Sequence, residues 1–189
     1  VPRHLVKGVG GRLDFTGAEI RPFDEDAAVA AARWFRDQGI TTIGVCLLHA
    51  YANDEHELRM RDILRREHPD AVVSISSEVV AEIWEYQRFV TTAANAYVQP
   101  LMGRYLERLQ RELAARSFAG ALRLMHSAGG LVSPETARAF PIRLLESGPA
   151  GGGLATALFG ELAGHKDVIS FDMGGTTAKA CMIEDGRAE

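Results

Sequence analysis

Seven consecutive residues, Phe171-Asp172-Met173-Gly174-Gly175-Thr176-Thr177, set a carboxylate at the end of an apolar run, then a glycine pair, then a pair of hydroxyls. Glycine has no Cβ, so a turn built on Gly174 and Gly175 lets the backbone approach a ligand closely and aim successive N–H groups at an anion. Thr176 and Thr177 add hydroxyl donors. Asp172 stands where a carboxylate can hold a magnesium ion, largely through water, because that ion keeps much of its hydration. This is chemistry for gripping a phosphate. The same residues also make an ordinary hairpin in which Gly-Gly is a turn and nothing more, and a pattern as short as Asp-x-Gly-Gly does not separate the two readings.

A second glycine-rich stretch, Ser147-Gly148-Pro149-Ala150-Gly151-Gly152-Gly153, is expected to lead into an apolar helix from about Leu154 to Leu162. A helix N-terminus carries unpaired N–H groups and a positive partial charge, which makes such an entry a candidate anion or nucleotide cradle. Close packing of a helix on a sheet needs small residues too, and explains the same glycines. No Gly-Lys-Ser/Thr follows them, and their spacing is not that of a dinucleotide fingerprint.

Four further positions invite a functional reading. His49 and His56 are good metal-ligand types near each other in sequence, but no Cys or second carboxylate completes a set. His126 precedes Ser127-Ala128-Gly129-Gly130 at the C-terminal end of an expected strand, where open α/β sheets bind ligands; substrate contact there competes with simple capping. Arg88 reads as a buried brace, with phosphate contact as the alternative. The arginines from Arg59 to Arg66 read as a solvated helix face.

The elements that must position these residues follow from periodicity and punctuation. A polar hairpin is expected from Leu5–Val9 and Ala18–Arg21. Asp24 caps a helix whose apolar positions Ala28, Ala31, Ala32 and Phe35 recur at helical spacing until Gly39. The run Thr41 to Leu48 is β-branched and apolar throughout, as a strand covered on both faces of a parallel sheet would be. Asp54 and Glu57 are spaced as a capping box for a helix reaching about Glu67, and Ala71 to Ile75 is the next strand. From Trp84 to Ala115 the texture is helical, with Met102, Leu106, Leu109 and Leu113 as a stripe and Pro100 expected to end or bend it. Then come a strand at Leu122–Met125, a short helix launched by Ser133-Pro134, and strands at Asp167–Asp172 and Thr177–Ile183. Helices alternating with strands over short connections give an α/β class.

The chain has 189 residues, 47% of them apolar and 24% charged, enough for one sizeable core or two small ones. A net charge of -4 offers no general attraction for nucleic acid. No stretch reaches the roughly 18 apolar residues of a membrane span. Cys46 and Cys181 lie in apolar runs far apart, as buried reduced thiols do, so a cytoplasmic setting is expected. The opening Val1-Pro2-Arg3-His4 has neither an initiator Met nor a signal-peptide pattern and reads as part of something longer.

The phosphate-type turn and the stretch Ser147 to Gly152 together resemble the hydantoinase A/oxoprolinase family of the actin, sugar-kinase and heat-shock ATPase superfamily. Val45 to Asn53 with His56-Glu57, Glu85-Tyr86-Gln87-Arg88 with Thr92, and Asn95-Ala96-Tyr97-Val98-Gln99-Pro100 resemble its pattern in the same order. The resemblance implies mixed sheets with flanking helices in partial actin-like (ribonuclease H-like) lobes. Residues 1–83 would be the C-terminal part of the N-terminal lobe, and 84–189 the connecting helices and the start of the second. It implies ATP and Mg2+ as cofactors, and hydrolytic opening of cyclic amides such as hydantoins or 5-oxoproline through phosphorylation of the substrate carbonyl. A related branch carboxylates ketones. It assigns phosphate binding to Gly174, Gly175, Thr176 and Thr177, the metal and catalytic role to Asp172, and a supporting nucleotide-side role to Gly148, Gly151 and Gly152. A second, B-type subunit or domain is implied as partner, with neither nucleic acid nor membrane involved.

Two departures stand out. The family commonly continues the turn with Ser-Thr-Asp, where this chain has Thr177-Ala178-Lys179; Lys179 either contacts phosphate or faces outward from its strand. Family members also begin with another Asp-x-Gly-Gly-Thr turn and continue well beyond this one, so the chain reads as an internal segment that does not turn over alone. A sugar kinase, an actin-like nucleotide switch, or a structural module within a larger enzyme remains open on the residues.

Overall fold

The computed structural model describes residues 1–188. Two compact units divide the chain, Val1–Arg104 and the part from Tyr105 onward.

In the first unit, β1 (Arg12–Leu13) pairs antiparallel with β2 (Glu19–Arg21), and Arg3–Leu5 forms a 3-10 turn. The first hairpin strand therefore lies later than Leu5–Val9. Gly11, at φ 130, sets it: a Cβ there would stand 3.2 Å from the His56 ring. Helix α1 (Glu25–Asp37) starts as expected, with the Asp24 side chain accepting from the Ala27 N–H. It ends at Gly39, whose φ of 67 suits a residue without Cβ.

Strands β3 (Thr42–Val45) and β4 (Val72–Ile75) pair in parallel, Thr42 opposite Val72 through Val45 opposite Ile75, with α2 (Glu55–Glu67) between them. On one side Ile43, Val45 and Ile75 meet Ala28, Ala32, Met60, Ile63 and Leu64 in the core. Each fully buried aliphatic side chain there contributes about 1.5–3 kcal/mol. Strand β3 is shorter than the apolar run suggests because Leu47 gives its backbone to side chains: its N–H goes to Glu57 at 2.8 Å and its carbonyl accepts from Arg88 at 2.9 Å.

The capping box is absent for the same reason. Asp54 makes no side-chain cap, the Glu55 N–H goes to Asn53 Oδ1 at 3.0 Å, and Glu57 turns inward to full burial. The short α3 (Ser76–Val79) follows β4.

Helix α4 (Glu85–Ala115) is one continuous element of 31 residues with Pro100 inside it. Within the first unit its buried residues are Arg88, Thr92, Asn95 and Ala96, while Tyr86, Val90, Tyr97 and Leu101 are exposed. Gly44 of β3 admits it closely: a Cβ there would sit 3.8 Å from Thr92 Cγ2.

In the second unit, Leu106 of α4 is fully buried, with Leu109 and Leu113 of the expected stripe partly buried. A small hairpin, β5 (Leu124–Met125) with β6 (Leu131–Val132), precedes α5 (Pro134–Ala139), which Ser133 caps by accepting from the Thr136 N–H. Helix α6 (Ser147–Leu162) then packs on an antiparallel sheet of β7 (Val168–Met173), β8 (Ala178–Glu184) and β9 (Arg187–Ala188). The glycine-rich stretch is thus the opening of α6 and not a loop before it.

Candidate functional site

The site is built on one face of the β7–β8 pair. In its register Ser170 stands opposite Cys181 and Asp172 opposite Lys179, so these side chains leave the sheet on the same side. That side carries α6. A Cβ on Gly153 would stand 3.2 Å from Cys181 Sγ, and one on Gly160 would stand 3.2 Å from Val168 Cγ2. Read from Ile183 through Cys181 to Lys179, β8 runs toward the turn; read from Gly160 through Gly153 to Glu146, α6 runs toward its N-terminus. The two meet at Lys179, whose ammonium makes an ion pair with Glu146, the residue preceding α6. The start of α6 and the Gly174–Thr177 turn therefore lie at the same end of the sheet.

The turn itself is open. Gly174 N–H donates to the Thr177 carbonyl at 2.9 Å, closing it. Neither Gly174 nor Gly175 has a positive φ. A Cβ on Gly175 would meet nothing within 4 Å, and one on Gly174 would meet the Thr177 carbonyl oxygen at 4.0 Å. The fold thus requires glycine at neither position, by conformation or by packing. What the glycines leave is free approach to the backbone from solvent. Asp172, Thr176 and Thr177 are exposed, and their side chains make no hydrogen bond or ion pair among the described residues. Asp172, the two hydroxyls and the open backbone fit a hydrated magnesium ion and a phosphate in their donor types.

The glycines of α6 divide by role. Gly153 and Gly160 are packing glycines, and Gly151 faces Met125 at 3.6 Å, while Gly148 and Gly152 have open space around them. Because the helix starts at Ser147, Gly148 lies in the first turn, where N–H groups lack helical acceptors; Gly151 and Gly152 lie beyond it, with their amides inside the helix ladder.

Of the remaining candidates, His56, His126 and Arg88 are hydrogen-bonded within the fold. His56 is buried with Nε2 2.6 Å from Glu19 Oε1, which holds the Glu19 carboxyl below its ordinary range. His49 takes a left-handed φ of 60, and no group of three potential metal ligands occurs among the described residues. His126 Nδ1 accepts from the Ala128 N–H at 3.0 Å, tightening the β5–β6 turn.

Arg88 is fully buried, donating to Ser76 Oγ at 3.0 Å and to the Leu47 carbonyl. Glu57 accepts from Ser76 Oγ at 2.6 Å and from the Ser77 N–H at 2.8 Å. The expected brace is thus an Arg88–Ser76–Glu57 relay. Glu57 was legible as a helix cap and as part of the family pattern, but its inward turn had no sequence signal. Burial, then the Glu57 charge, push the neighbouring Cys46 thiol up to about 12, against the lowering effects of Thr92 and Arg88. Cys46 and Cys181 form no disulfide, and no helix among the described residues is long and apolar enough to cross a membrane.

Residues 88–189 match the hydantoinase/oxoprolinase family, and residues 1–68 match the hydantoinase/oxoprolinase N-terminal region. The chain is 35% identical over 187 residues to caprolactamase subunit alpha of Pseudomonas jessenii, which covers 99% of this chain and 27% of that one. The crystal structure of ATP-dependent caprolactamase from Pseudomonas jessenii matches with a TM-score of 0.85 at 35% identity, over 96% of this chain and 26% of that one. A nucleotide-free acetone carboxylase, solved in work on ATP-dependent acetone carboxylation, matches with a TM-score of 0.84 at 32% identity, over 99% and 27%. The mixed α/β class expected from the residues is the class of these enzymes. The chain spans about a quarter of the length of these relatives.

Proposed function

We propose, from the premise that this chain belongs to the hydantoinase/oxoprolinase family, that it carries the phosphate-gripping part of an ATP-dependent enzyme that opens cyclic amides such as hydantoins or 5-oxoproline. One observation carries the reading. Gly174 and Gly175 are glycines that neither backbone conformation nor packing demands, set between Asp172 and two threonine hydroxyls whose side chains have no partner among the described residues.

In this reading Gly174, whose N–H closes the turn on Thr177, lets a terminal phosphate approach closely, the Gly175 backbone and the hydroxyls of Thr176 and Thr177 orient it, and Asp172 holds hydrated Mg2+ beside it. Bound ATP supplies a phosphoryl group that turns the inert carbonyl of the substrate into a centre water can attack. Gly148, in the first turn of α6, adds the positive end of that helix to the same end of the sheet. Gly151 and Gly152 support this entry by keeping the second turn slim. Residues 1–83 form the closing part of an N-terminal lobe, and 84–189 the connecting helix and the start of the second. A second subunit completes the enzyme; the caprolactamase relative is itself named a subunit. Ketone carboxylation is the second reading, favoured by the match to acetone carboxylase.

The test is calorimetric titration of the chain with the non-hydrolysable analogue AMP-PNP and Mg2+. Binding that Asp172→Asn or Gly175→Val weakens about tenfold or more supports the reading, and binding indifferent to both contradicts it. Turnover of hydantoin, 5-oxoproline or acetone by the longest polypeptide carrying this sequence then decides between the branches.

A further inference from the structure

Lys179 stands directly across the ladder from Asp172. Opposite charges so placed on one face are natural partners. Asp172 nevertheless has no ion pair among the described residues, and the ammonium of Lys179 reaches Glu146 instead. Glu146 sits in the left-handed region at φ 63, an uncommon conformation for a residue with a Cβ, and occupies the N-cap of α6 without capping it. Its carboxylate is thus placed at the positive end of the helix and spent on Lys179.

Both partners are open to solvent, with side-chain exposures of 37% for Lys179 and 67% for Glu146. An exposed pair of this kind is weak and exchanges readily. A phosphate at the adjoining turn is a stronger competitor, since it carries more charge and several acceptor oxygens for the three donors of an ammonium.

We propose that Lys179 is the cationic member of the phosphate site and that Glu146 is its internal stand-in, occupying the ammonium until a nucleoside triphosphate takes it. This rests on the proposed function for the identity of the ligand. It differs from it in assigning roles to two residues outside the glycine–threonine turn, one of them acting against binding.

An exchanged ion pair and a structural one give opposite signatures. If the pair were scaffold, removing either partner would weaken binding alike. If Glu146 competes with phosphate, Lys179→Ala and Glu146→Gln move affinity in opposite directions. Calorimetric titration with Mg2+ and AMP-PNP, and separately with AMP, reads this out in the wild-type chain, Lys179→Ala, Glu146→Gln and Asp172→Asn, with thermal midpoints checking that each variant is folded.

The expected result is that Lys179→Ala weakens AMP-PNP roughly tenfold or more, as loss of a charge-assisted hydrogen bond does. AMP should be unaffected, and Glu146→Gln should tighten AMP-PNP about two- to fivefold. Equal AMP-PNP affinity in wild type and Lys179→Ala, with Asp172→Asn still weakened, overturns this inference and leaves the proposed function standing. Weakening by both Lys179→Ala and Glu146→Gln overturns the exchange. No binding by the wild type, or binding indifferent to Asp172→Asn, overturns the proposed function and this inference with it.

Discussion

Glu57 is the residue whose removal the first unit should tolerate least. It accepts from the Leu47 N–H, the Ser76 hydroxyl and the Ser77 N–H, and through Ser76 it faces the fully buried Arg88 guanidinium. Glu57→Ala leaves donors unmet and a buried cation uncompensated, which costs about 3–5 kcal/mol. Urea unfolding should show that loss, and Arg88→Ala added to Glu57→Ala should cost less than the two single changes summed. Cys46 reports on the same seam. Its thiol is pushed from an ordinary 9.0 up to about 12, first by burial and then by the Glu57 charge. It should react with iodoacetamide at pH 8 more than about a hundredfold slower than a free thiol. A raised thiol pKa means that folding favours the protonated form. The stability it contributes is intact below pH 9.0 and is lost as pH rises toward about 12. Cys46→Ala should flatten that part of the stability profile; an unchanged slope would contradict the assignment.

Elements were legible where local chemistry and tertiary packing agree. Asp24 and Ser133 announce helices and do cap them. The β7–β8 pair stands at nearly the expected residues because apolar runs flank a glycine pair. Legibility ended where a side chain left its local role for a distant one. Glu57 has the spacing of a helix cap but serves Leu47 and Ser76, which also shortens β3. The glycines of α6 resemble a loop, yet Ser147–Leu162 is helical because Gly153 and Gly160 let it lie close on the sheet. That closeness is testable. Gly153→Ala places a methyl 3.2 Å from Cys181 Sγ, tighter than ordinary contact. It should destabilise the chain by about 1–3 kcal/mol by thermal or urea unfolding. Cys181→Ala in the same chain should restore part of that loss, and a loss unchanged by Cys181→Ala would contradict the packing described.

At the scale of the molecule, the proposed work is concentrated in the second unit. The first unit supplies a packed α/β core with buried polar bracing, and its His56, His68 and Arg88 are hydrogen-bonded within that structure. The residues singled out from sequence as phosphate-binding fall together at one end of the β7–β8 sheet. Their convergence was not readable in the sequence, since it depends on the register that sets Asp172 opposite Lys179 and on the direction in which α6 crosses the strands. The central claim is that this end of the sheet receives the phosphates of ATP. Hydrogen–deuterium exchange with and without Mg2+ and AMP-PNP tests it most directly. Slowed exchange confined to the Gly174–Thr177 turn and the first turn of α6 is the predicted result; nucleotide binding that leaves both unprotected, or no binding at all, would contradict the account.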